Sequence, residues 1–435
     1  MDLQRIASGT PHPLTLRVGV FFDGTGNNLG NGMHAGASPE RGGSYANAPS
    51  NVALLYGLYP VGAVEALADR VFFKVYVEGI GTTQGAPDSA LAQATGRGQT
   101  GIEARVAEAL AVVAGQLRRW RAEQPQGPVA GVELDLFGFS RGAAAARHLA
   151  NQLQEGSACL LAWPVTINFI GLFDTVAAIV APWQGNFSPA NDRYGGLRLG
   201  LGEGIARQVV QLVAGDERRH NFPLVRSGHD IVVPGVHSDI GGGYLERMTE
   251  RVLLSKPRSN LVPARTPAER TRAYAIATRQ LAAEYAGMPG PQPRVLTWEV
   301  PVERRCRQDG PEKRVYAAVY REREVLGHLS RIYLRIMREL AVRGGVPFAE
   351  VEAREAAYRL PEALLGISAK LHDFALGRSA GPGLSEEERH LLEARYIHAS
   401  AHWNALKGLR NSELEVMFVG RPAEGGRVMH VNPVG

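Results

Sequence analysis

The run from Val132 to Arg147 constrains this chain more than any other. Val132, Leu134 and Leu136 alternate with Glu133 and Asp135, the period of two that marks a strand. From Gly142 to Leu153 the chain is alanine-rich and free of proline, which predicts a helix. Between them stands Gly138-Phe139-Ser140-Arg141-Gly142, the G-x-S-x-G pattern of a sharp strand-to-helix turn that lifts a serine hydroxyl off the end of a sheet. Gly138 and Gly142 are expected to leave room for the neighbouring strand and helix. The helix N-terminus behind Ser140 favours developing negative charge.

The pattern alone is a weak signal in a chain with 51 glycines, and a second copy shows why. Gly377-Arg378-Ser379-Ala380-Gly381 fits it equally well, but it follows a helical stretch (Leu364, Ile367, Leu371, Phe374) and runs into Pro382-Gly383. That context is a helix C-terminal glycine and a loop, so Ser140 rather than Ser379 is selected.

Other strand-like runs end in groups that complete a site. Leu14 to Phe22 ends in Asp23-Gly24-Thr25-Gly26-Asn27-Asn28, Val165 to Leu172 in Phe173-Asp174-Thr175, and Ile231 to Pro234 in Gly235-Val236-His237-Ser238-Asp239. Strands alternating with helices, with little polarity in the strands, imply a mostly parallel sheet covered on both faces. Parallel strands bring their C-terminal ends to one edge, where Ser140, Asp174 and His237 can meet. Their order along the chain is the Ser–Asp–His order of α/β hydrolases. His237 would take the serine proton, and Asp174 would fix its tautomer and stabilise the imidazolium. An oxyanion hole is expected from the backbone N–H of Arg141 with one from the Gly24-Thr25 turn. Alternatives stand beside these assignments: Asp174 as a helix cap, His237 as a structural hydrogen-bonder, Asp239 as the acid and His398 as the base.

Composition excludes rather than selects. Net charge is +5, from 48 basic and 43 acidic residues, without a clustered basic footprint for nucleic acid. Two cysteines, Cys159 and Cys306, do not make a disulfide framework. The opening residues lack a secretory signal, and the run Cys159 to Phe173 is too short to span a membrane. Phe21-Phe22-Asp23-Gly24-Thr25 lacks the nucleophilic aspartate of a haloacid-dehalogenase-type phosphatase. The glycines of Gly24 to Gly30 miss the dinucleotide spacing, and His229-Asp230 and His237-Ser238-Asp239 lack further ligands for a metal. No cofactor or metal is expected. Helices are expected near 203–214, 266–286, 317–343, 348–358, 361–376 and 385–405, with strand-like stretches at Arg294 to Val302 and Leu414 to Val419. An irregular insertion is expected at 180–201.

Taken together, Phe22-Asp23-Gly24-Thr25-Gly26-Asn27-Asn28, Gly138-Phe139-Ser140-Arg141-Gly142, Gly171-Leu172-Phe173-Asp174-Thr175 and Gly235-Val236-His237 through Gly243-Tyr244 resemble the α/β-hydrolase domain of the first family of type VI secretion lipase effectors. That resemblance covers roughly residues 15–245. It implies phospholipase A activity on membrane glycerophospholipids with the triad on Ser140, Asp174 and His237. It further implies synthesis in the cytoplasm, carriage by a secretion-apparatus spike or adaptor into a competitor's periplasm, and a cognate immunity protein. The expected organisation is an α/β-hydrolase-like core at 14–250, a mainly helical region at 251–410 offering a lid, membrane or partner face, and a C-terminal strand and tail at 411–435 packed on the core. A small-ester or thioester hydrolase of the same mechanism, and a catalytically silent binding module, are the competing readings.

Overall fold

The computed structural model describes residues 13–29, 47–63, 69–82, 101–125, 128–156, 163–177, 192, 194–302, 311–404 and 420–433. Its main sheet consists of β1 (Leu14–Phe22), β2 (Gly62–Ala63), β3 (Arg70–Val77), β4 (Val129–Phe139), β5 (Val165–Phe173), β6 (Gln208–Ala214) and β8 (Asp230–Val233). Their spatial order is β2-β3-β1-β4-β5-β6-β8, and each adjacent pair is parallel except β2 with β3. A parallel sheet needs cover on both faces, and the strand sequences supply apolar side chains to both. On one face Leu16, Val18 and Val20 with Val132, Leu134 and Leu136 pack against α2 (Ile102–Glu123) and α3 (Arg141–Gln154). On the other, Phe21, Phe137 and Phe169 pack with α1 (Asn51–Leu58), α6 (Leu329–Arg343) and α7 (Glu362–Ala375).

Of the two acidic positions of β4, Asp135 does not face water. Asp135 is fully buried and accepts hydrogen bonds from Arg17 at 2.7 and 2.9 Å, the Tyr59 hydroxyl at 2.8 Å and the Asn168 amide at 2.9 Å. A carboxylate surrounded this way is tolerated in the core, whereas deleting one charged partner of such a pair typically costs about 3–5 kcal/mol.

Several sequence expectations change after residue 200. The stretch expected as a helix near 203–214 contains strand β6. The helix expected over 317–343 divides into β12 (Glu312–Val325) and α6. β12 pairs antiparallel with β9 (Met248–Leu253), β10 (Arg258–Pro263) and β11 (Arg294–Val302), and Ala273 and Ala277 of α5 (Arg272–Glu284) pack on Ala317 of this second sheet. Residues 348–358 are turns and irregular backbone, and α8 ends at Arg395 (Glu386–Arg395) well before 405. The strand expected at Leu414 to Val419 lies outside the described residues, as does much of the insertion at 180–201. Further on, β13 (Met429–His430) pairs parallel with β7 (Leu224–Val225), and a bridge joins Arg219 to Pro422. Among the described residues no helix is long and apolar enough to cross a membrane.

Candidate active site

Ser140 stands between β4 and α3 with φ 58° and ψ −123°, a left-handed backbone that an L-residue adopts only under constraint. Two hydrogen bonds supply it: Ser140 N–H donates to Phe173 O at 3.0 Å, and Val176 N–H donates to Ser140 O at 3.3 Å. The end of β4 is thereby tied to the end of β5. The turn also needs its glycine at 142, where a Cβ would lie 2.3 Å from the carbonyl oxygen of Phe22. The intervening Phe139 fills the space beneath the site, its ring 4.7 Å from that of His237.

Asp174 follows β5, again with positive φ (48°), its N–H bonded to Leu212 O at 2.8 Å. His237 is the first residue of the short helix α4 (His237–Gly241) and faces Asp174 across the strand ends. Its Nδ1 lies 2.5 Å from Asp174 Oδ2, which leaves Nε2 as the ring's other nitrogen. Phe139 and Phe222 wall the ring, the latter edge-on at 4.8 Å. Burial lowers the imidazole's affinity for a proton, and Asp174 opposes that effect in part. Burial alone would raise the Asp174 carboxyl. Arg427 and His237 outweigh it and hold the group well below the usual carboxylate range. Among the described residues no hydrogen bond joins Ser140 to His237; such contacts are often long in unliganded enzymes and tighten in the substrate complex.

On the opposite side of Ser140 lies the turn after β1. The Gly24 N–H donates to the buried Asp23 carboxylate at 2.6 Å, so this expected oxyanion donor is already engaged. Tyr76 donates its hydroxyl to the same carboxylate at 2.6 Å. The backbone N–H groups of Thr25 and Arg141 have no acceptor among the described residues; the second belongs to the first turn of α3, where no intrahelical acceptor exists. The Arg141 side chain bridges the two, its Nε donating to Thr25 Oγ1 at 2.7 Å, and burial lowers its pKa to about 10.

The competing residues are occupied elsewhere. Asp239 accepts from the His398 ring at 2.7 Å and its backbone N–H at 3.1 Å, and Tyr244 stacks on His398 at 3.7 Å. His398 lies beyond the end of α8 rather than on a helix. Ser379 is exposed and donates to Gly381 O at 2.8 Å, just past the C-terminus of α7.

A family model described as T6SS, Phospholipase effector Tle1-like, catalytic domain, matches residues 17–158 and 162–262, more than half of the chain. The chain belongs to the Tle1-like phospholipase effectors of type VI secretion. Among solved structures it is similar to the Tle1 effector bound to the VgrG spike from the type VI secretion system, with 26% identity and a TM-score of 0.75 over 97% of this chain and 94% of that one. It also matches an uncharacterised protein from Pseudomonas aeruginosa, with 21% identity and a TM-score of 0.47 over 85% and 52% of the respective chains. No curated protein matches it.

This Tle1-like site contains groups that the sequence reading did not single out. Arg427, from the segment before β13, bonds to both oxygens of Asp174 at 2.7 Å. Glu217, in the turn after β6, accepts from the His237 N–H at 3.2 Å and from the Arg219 fork at 2.8 and 2.9 Å. Burial opposes its ionisation, but Arg219 chiefly, with His237 and Ser400, lowers its pKa to about 2. Arg219 also lies 3.4 Å over the ring of Phe222. None of these residues belongs to a recognisable motif; only the tertiary fold assembles them.

Proposed function

We propose that this Tle1-like effector is a serine-dependent phospholipase A. The observation that supports it most is the His237 Nδ1–Asp174 Oδ2 contact of 2.5 Å, formed at the same sheet edge as Ser140 in its constrained turn. Ser140 Oγ attacks the acyl carbonyl of a glycerophospholipid while His237 Nε2 takes its proton. The N–H groups of Arg141 and Thr25 receive the negative charge that develops on the carbonyl oxygen. Collapse expels the lysophospholipid alkoxide, which regains the proton from His237. Water, deprotonated by the same imidazole, then releases the fatty acid and restores Ser140. Residues 14–250 are the catalytic core in this reading, and 251–410 offer a lipid or partner face.

The likeness to an effector seen on the VgrG spike supports the corresponding route for this chain. A spike carries it into the periplasm of a target bacterium, where membrane phospholipids are its substrate, and the producing cell holds an immunity protein against it. The test of the chemistry is product analysis on vesicles of phosphatidylethanolamine and phosphatidylglycerol. Free fatty acid and lysophospholipid are expected. Ser140→Ala and His237→Ala should each lose about 10⁴-fold or more in kcat. Release of diacylglycerol, or undiminished hydrolysis by Ser140→Ala, would overturn the reading.

A further inference from the structure

Asp174 has two jobs to perform at once: keeping its charge in a fully buried position, and aiming one oxygen at His237. The neighbouring strand supplies only part of what this needs, since a single backbone donor, Ala214 N–H at the end of β6, reaches Oδ1 at 3.0 Å. The remaining constraint arrives from 253 residues away. Arg427 lays its guanidinium along the carboxylate, Nη1 to Oδ1 and Nη2 to Oδ2, both at 2.7 Å, and its side chain is only 7% exposed. A planar fork on a planar carboxylate fixes the rotation of the latter, which a point charge cannot do. The third arm of the same guanidinium, Nε, donates at 2.8 Å to the carbonyl of Phe222, whose ring walls His237.

The segment bearing Arg427 is anchored on both sides. Upstream, the His220 N–H donates to Arg421 O at 3.0 Å. Downstream, β13 pairs with β7, and the Asn432 side chain joins Leu201 and Arg147.

We propose that Arg427 is a positioning residue of the catalytic site: its fork sets the plane of the Asp174 carboxylate and so aims Oδ2 at His237. The proposal rests on the triad reading above. The charged groups facing the Asp174–His237 pair are Arg427 from this segment and Arg219 and Glu217 from the turn after β6, and these last two pair with each other. Arg427 therefore screens the Asp174 charge from His237 and helps keep the imidazole unprotonated, ready to act as a base. Without it the carboxylate's field falls on His237 alone, the imidazolium is stabilised, and the acid limb of the kcat/KM profile moves to higher pH.

The experiment compares the full chain with Arg427→Met, Arg427→Lys, Arg427→Ala, Asn432→Ala and Ser140→Ala, each assayed well below its melting midpoint. Arg427→Met should lose about a hundredfold in kcat with KM little changed, as expected when a reacting group is misaligned. Its acid limb should shift upward. Arg427→Lys keeps the charge without the fork, so its limb should stay near the wild-type position while kcat falls. Millimolar guanidinium should restore part of the activity of Arg427→Ala. Asn432→Ala loosens the same segment away from Asp174 and should leave the acid limb in place. Wild-type kcat and an unmoved limb in Arg427→Met, beside an inactive Ser140→Ala, would overturn the proposal and leave the triad standing. Activity persisting in Ser140→Ala would instead remove the triad reading beneath it.

Discussion

Ser140 and Asp174 are the two non-glycine residues with positive φ among the described residues, and they sit at neighbouring strand ends. Such conformations cost about 1–3 kcal/mol each and persist only where surrounding bonds impose them. The strain leads to a stability prediction. Ser140→Gly and Ser140→Ala both remove the hydroxyl, but glycine also relieves the backbone, so Ser140→Gly should be more stable by about 1 kcal/mol. Chemical denaturation of the two variants checks this; an alanine variant equal to or more stable than the glycine one would show that the turn is not strained. Ser140 was legible in the sequence because everything that makes the elbow is local: a strand, two glycines and a helix within one short run. Asp174 and His237 were legible only as the ends of strands, by position. Arg427 could not be read at all, because one arginine among 48 basic residues gains its meaning only when the fold sets it against Asp174.

The elements around the elbow have little free volume. A Cβ on Gly241, in the helix led by His237, would fall 2.1 Å from the Phe139 ring, and one on Gly24 would fall 2.4 Å from the other side of that ring. The aromatic residue of the serine motif is thus a spacer between the β1 turn and the histidine helix. Gly241→Ala should push Phe139 and α4 apart, costing about 1–3 kcal/mol and displacing His237 from Asp174. A thermal melt with a fluorophosphonate labelling assay checks it, and a variant that labels and melts like the wild type would show that the ring yields freely. Elements far from the motif were read less well, for a physical reason. Ala317 to Val325 is rich in alanine, arginine and glutamate, good helix formers, yet it is strand because β11 pairs with it as far as Tyr320 and β9 from Tyr320 to Val325. β6 likewise lies in a stretch expected as helix, although it is built of valine, leucine, glutamine and one alanine; its place between β5 and β8 decides the matter. The strands β1, β4 and β5 were legible because burial on both faces leaves its mark in the sequence itself.

Over the whole molecule, buried ionisable groups fix how stability responds to acid. Burial lowers the pKa values of His148, His220, His237, His328 and His402, so the unfolded chain binds protons at these sites before the folded one does. Their contribution is complete above the ordinary histidine value of about 6.5 and is lost as pH falls below it. Asp174 and Glu217, depressed in the fold, add a second loss as pH falls from the usual carboxylate range, about 4, towards 2. Asp23 and Asp216, raised by burial, act in the opposite direction and soften the decline. The melting midpoint should therefore be highest near neutral pH and fall steadily below about 6.5; a midpoint unchanged between pH 8 and pH 5 would contradict it. The clasp of Arg427 on Asp174 also bears on how a cell makes such a chain. A ribosome releases Ser140, Asp174 and His237 in turn, and 253 further residues separate Asp174 from the guanidinium that completes its setting. On the roles proposed above, a nascent or prematurely terminated polypeptide carries Ser140, Asp174 and His237 without the cation that aligns the carboxylate, so hydrolysis inside the producer stays low until translation reaches that distant arginine.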